Sequence, residues 1–101
     1  MATVTRFVIT EDGQPNGVTR GHGSFIYHVR LPGIDRHSCI WGSITEITQP
    51  PGEPLDFPFI GDASMVIMNV APKDDGVVDV WCQVNWDSDL NFKVQLVRVD
   101  D

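Results

Sequence analysis

Basic side chains are scarce in this chain: seven lysines and arginines stand against fourteen aspartates and glutamates, for a formal charge of −7 at neutral pH. Binding to phosphate backbones and anionic headgroups is driven by Lys and Arg displacing counterions, so neither nucleic acid nor a membrane is an expected partner. The deficit is uneven. Residues 1–50 balance four acids against four arginines, whereas ten acids from Glu53 to Asp101 face only Lys73, Lys93 and Arg98. Cysteine is nearly missing as well. Two thiols, Cys39 and Cys82, make no disulfide framework; they read as reduced core residues, with a single bridge between them as the alternative.

Long apolar runs are absent, since no stretch approaches the roughly 18 residues of a spanning helix, and the amino terminus shows no basic segment followed by an apolar one. A cytoplasmic location is the resulting expectation. No window repeats apolar residues at i, i+3, i+4 and i+7 over three turns, which rules against a long helix. Catalytic signatures are missing too: there is no Gly-x-Ser-x-Gly, no His-Glu-x-x-His and no phosphate-cradling glycine loop. No catalytic residue is expected, and the chain is read as a non-enzymatic protein.

What the sequence does hold is two-residue alternation, interrupted by Gly, Pro, Asn and Asp clusters. Six strands are predicted, over residues 3–10, 24–31, 38–47, 64–71, 77–87 and 91–99. At 101 residues the chain makes one all-β domain. The expected architecture is an antiparallel β-sandwich of six to seven strands, jelly-roll or immunoglobulin-like, with a closed β-barrel as the alternative.

The 24–31 stretch puts Phe25, Tyr27, Val29 and Leu31 on the core side and Ser24, Ile26, His28 and Arg30 on the other. Between 77 and 87, Val78, Val80, Cys82, Val84 and Trp86 form an apolar face opposite Asp79, Trp81, Gln83 and Asn85. Residues 65–70 are apolar on both sides, which predicts a central strand with its second face covered by a loop or another subunit. Phe92, Val94 and Leu96 should point inward, and the following Leu-Val step predicts either a bulge near Val97 or a second covered face. The short polar segments 72–76 and 86–91 read as hairpin loops, so the last three strands should form a meander. The segment containing residues 11–17 and Gly21-His22-Gly23 is too long for a tight hairpin and is expected to cross between sheets.

Residues 48–62 form a proline-rich extended arm, whose four prolines remove donors and forbid a central strand. Phe57, Phe59 and Ile60 on that arm are costly to leave in water, at roughly 1.5–3 kcal/mol for each one buried instead. They either fold back onto the domain or contact another copy in a homo-oligomer.

Trp81 is the most informative single residue. An indole on a polar strand face beside Asp79, Gln83 and Asn85 suits carbohydrate: the ring stacks on a pyranose while its neighbours take the hydroxyls. These four are the candidate ligand-binding residues of a lectin-like module; packing of Trp81 beneath the arm or across a subunit boundary is the competing expectation. Trp41, sharing a face with Cys39, is expected in the core. The loop acids Glu11, Asp12, Asp74, Asp75, Asp87 and Asp89 offer oxygens for calcium, but no EF-hand spacing is present, so no cofactor is expected beyond that weak signal. The one close His-Cys pair, His37 and Cys39, has no second pair at zinc-finger spacing.

Overall fold

The computed structural model describes residues 3–9 and 18–100, and these form two antiparallel sheets with no helix. In chain order the strands are β1 (Thr3–Ile9), β2 (Val18–Gly21), β3 (Gly23–Arg30), β4 (Cys39–Thr48), β5 (Phe57–Pro58), β6 (Ser64–Pro72), β7 (Val77–Asn85) and β8 (Leu90–Asp100). Sheet A runs β1-β8-β4-β5, with β2 also on β8; sheet B runs β3-β7-β6. All six predicted strands are present. The two extra strands, β2 and β5, have four residues and two residues, too few to show alternation.

β8 is the centre of sheet A. One of its edges is shared end to end by β1 and β2, because Ile9 pairs with Val94 and Val18 pairs with the adjacent Lys93. Its other edge is taken by β4, from Cys39 opposite Val99 to Glu46 opposite Phe92. Thr19, fully buried, satisfies its hydroxyl on the Phe92 carbonyl at 3.1 Å and pins β2 there.

The core lies between the sheets. Val78, Val80, Cys82 and Val84 of β7 meet Phe92, Val94 and Leu96 of β8, all without solvent exposure, and Leu31 and Ile34 close one end. Across the gap the Phe25 and Phe92 rings stack at 5.6 Å. Gly42 lets β4 approach β6 closely: a Cβ there would stand 3.3 Å from Leu96 and 3.4 Å from Val70.

The expected hairpin between β7 and β8 does not form. β7 pairs with β3 and β6, whereas β8 belongs to the other sheet, so residues 86–89 cross from one layer to the other. The reason is in the apolar faces just named. Side by side in one sheet they would need a third element to cover both; opposed, they bury each other. A second crossing, Gly21-His22-Gly23, runs alongside, with Gly23 at φ +79° in a conformation that a side chain would resist. His22 Nδ1 meets Asp89 Oδ1 at 2.7 Å and ties the two crossings together. The predicted hairpin through residues 72–76 is observed, closed by Lys73 N to Val77 O at 3.0 Å and by Gly76 at φ +83°.

β6 is an edge strand, not a central one, since it pairs only with β7. Its outward Val66 and Met68 are exposed, and Pro72 lacks the N–H donor a central position would require. The bulge expected near Val97 is likewise elsewhere: β8 keeps continuous register there, and the register shift falls between Ile67 and Asn69 of β6. Val97 and Val99 lie half-buried on the outer face of sheet A, beside Trp41 and Cys39.

Trp41 and Cys39 are therefore not core residues. Both are exposed, Trp41 to 68%. Cys82 faces the interior from the other sheet, and both cysteines are free, which removes the bridge between them. Trp86 stands beyond the end of β7 and is 43% exposed instead of completing that strand's apolar face.

Candidate functional site

The outer face of sheet B carries the sequence-selected ligand residues in a row along β7. Asp79, Trp81, Gln83 and Asn85 share one parity and point away from the buried Val78, Val80, Cys82 and Val84. Register then supplies their neighbours. Trp81 lies between Ile26 of β3 and Asn69 of β6; Gln83 lies between Ser24 and Val66; Asn85 pairs with Ser64. Trp81 is 39% exposed, so its ring meets solvent on a face where polar groups converge.

Hydrogen bonds hold this row in place. Trp81 Nε1 donates to Ser24 Oγ at 2.6 Å, which fixes one edge of the indole. Gln83 Nε2 donates to Asn85 Oδ1 at 2.5 Å, and Asn85 Nδ2 donates in turn to Ser64 Oγ at 2.6 Å. Such a relay orders side chains before any ligand arrives and lowers the entropy lost on binding. Asp79 behaves differently. One oxygen accepts from His28 Nδ1 at 2.6 Å and the other meets Lys73 Nζ at 3.2 Å. The His28 hydrogen bond first, then that of Lys73, holds its carboxyl below the usual range. Both oxygens are thus engaged, and Asp79 orients His28 and Lys73 at one end of the row.

The other sequence-selected set lies elsewhere. Phe57 and Pro58 pair with Thr48 and Ile47, and Phe59 N donates to Glu46 O at 3.0 Å, so the arm turns back onto its own β4. Lys93 of β8 pairs with Asp56 of the arm. Phe57 and Phe59 remain partly exposed, and Ile60 is fully so. The structure does not bring these residues to the Trp81 face.

Where the arm returns, two adjoining recesses of about 390 and 270 Å³ share Glu46, Phe59, Gly61 and Ala63 in their walls. Glu46 points inward from β4, and its Oε1 is buried with no hydrogen-bond partner. An unsatisfied buried acceptor costs about 1–3 kcal/mol. The sequence reading did not single out Glu46. It shares the parity of Ile40, Gly42 and Ile44, and the structure shows that this set of β4 is the inward one.

Among the described residues no three His, Cys, Asp or Glu side chains converge on a metal position. Asp74 meets Arg36 at 3.0 Å, Asp75 accepts from the Val77 N–H and Asp89 meets His22; Glu11 and Asp12 lie outside the described residues. Also among these residues, no helix is long and apolar enough to cross a membrane. No protein-family model, curated protein or solved structure matches this chain.

Proposed function

We propose that this protein is a non-enzymatic recognition module that binds carbohydrate on the outer face of sheet B. The supporting observation is the half-exposed Trp81 indole, anchored by Ser24 and standing beside the Gln83–Asn85–Ser64 hydrogen-bonded row. A pyranose places its C–H face on the ring while neighbouring amides and hydroxyls meet its hydroxyl groups, each net hydrogen bond contributing about 0.5–1.5 kcal/mol. Ile26, exposed on the strand next to Trp81, widens the apolar platform.

A glycan array probed with the labelled protein, followed by titration of each hit, tests this reading. Trp81→Ala should abolish the response, and Gln83→Ala should weaken it about five- to tenfold with the fold intact. Binding that survives Trp81→Ala, or an array with no hits at all, overturns the proposal.

Self-association through the arm is a second reading. It is favoured by the apolar exposure of Phe57, Phe59 and Ile60 together with Val66 and Met68 on the β6 edge.

A further inference from the structure

The cleft where the arm returns onto β4 joins three features that point to one kind of ligand; it shares Ser64 with the Trp81 face but not Trp81 itself. First, it contains a carboxylate with one buried oxygen that has no donor. Glu46 lines both recesses, and its Oε1 is buried beside Gly61 with no hydrogen-bond partner. Lys93 sits nearby in sequence register but pairs with Asp56 of the arm.

Second, the walls hold no positive charge. The lining residues include Glu46 and, at the rim, Asp62, but no lysine, arginine or histidine. Third, most of the rest of the wall is apolar and partly aromatic: Phe59 and Trp86 each leave about two-fifths of their surface in solvent and Ile44, Met65 and Leu90 join them, with Thr45 and Ser64 as its uncharged polar members.

We propose that this cleft binds a small protonated amine carrying an apolar or aromatic body. The ammonium supplies positive charge and N–H donors to the Glu46 carboxylate, whose Oε1 turns out from its buried position beside Gly61 to accept them. The ring faces of Phe59 and Trp86 attract the cation, and the aliphatic wall takes the hydrocarbon. Other ligand classes fit less well. An anion meets Glu46 and Asp62 with like charge; a neutral apolar molecule leaves the buried carboxylate oxygen as it is; a quaternary ammonium keeps the attraction to the rings but has no N–H to donate.

The test is an amide and indole NMR titration of the full chain with phenethylammonium, in parallel with phenethyl alcohol, phenethyl trimethylammonium and 3-phenylpropionate. Phenethylammonium should shift the resonances of Glu46, Gly61, Ala63 and the Trp86 indole. The alcohol and the quaternary ion should bind about tenfold more weakly, and the propionate should not bind. Glu46→Gln keeps the volume of the side chain and should reduce amine affinity about tenfold, its own spectrum reporting that the fold is retained. Trp81→Ala should leave amine binding unchanged, which separates this site from the carbohydrate reading. Equal affinity for amine and alcohol, full affinity in Glu46→Gln, or shifts confined to exposed acids such as Asp74 and Asp75 would each overturn the assignment.

Discussion

The two thiols of this chain stand in opposite surroundings. Cys82 is enclosed between the sheets, and burial pushes its thiol up from an ordinary 9.0 to about 11. A buried thiolate is strongly disfavoured, so this sulfur is inert at neutral pH, whereas Cys39 is open to reagents on the outer face of sheet A. A thiol reagent on the native protein should therefore modify one cysteine promptly and the second only in denaturant; equal rates would contradict the placement of Cys82. Because its folded value is raised, the stabilisation from the neutral thiol is complete below pH 9.0 and is lost as pH rises towards 11. The contrast between the tryptophans is equally physical. Trp81 was legible because β7 alternates cleanly between an apolar and a polar set. Trp41 was not, since Cys39, Trp41, Ser43 and Thr45 are about as mixed as Ile40, Gly42, Ile44 and Glu46. Parity alone could not say which set of β4 faced inward, and the same ambiguity concealed Glu46.

At the level of strands, alternation located each of the six longer elements but could not assign their partners. β7 and β8 both present strong apolar faces, and a short polar loop joins them. Those facts suit a hairpin and a crossing alike; only the need to cover both faces selects the crossing, and that is a property of the whole core. β6 was misjudged for a related reason: Val66 and Met68 look like a second buried face when read locally, yet the strand lies on an edge with them exposed. The polar row around Trp81 on β7 was legible, while its partners Ser24 and Ser64 depended on register that periodicity does not encode. The contact between β4 and β6 offers a direct test of the packing. Gly42→Val adds methyl groups against Leu96, Val70 and Ile67, where even a Cβ has neighbours at 3.3–3.5 Å. It should lower stability by about 1–3 kcal/mol, seen as an earlier denaturant midpoint with unchanged slope. An unaltered midpoint would mean that the two sheets are farther apart there than described.

At the scale of the whole molecule, the exposed Phe57, Phe59 and Ile60 of the arm bear on assembly. If they join copies of the chain, light scattering behind size exclusion should give a multiple of 11.2 kDa. Ile60→Asp should then return the monomer mass, because this fully exposed side chain can be replaced without disturbing the core. A monomer in the unmodified protein dismisses self-association and leaves Phe57, Phe59 and Ile60 facing solvent. The position of β8 has a further consequence during synthesis. Sheet B can assemble as soon as β7 has left the ribosome, but β1, β2 and β4 all pair with a strand that is made after them. Contacts such as that from Thr19 to Phe92, separated by 73 positions, wait until then. Until β8 emerges, the nascent chain holds a sheet with an uncovered inner face, with β1 and β2 lacking their partner and β4 paired only to the two-residue β5. Exposed apolar surface and unpaired strand edges are expected to make that half-built species more prone to aggregation than the finished fold.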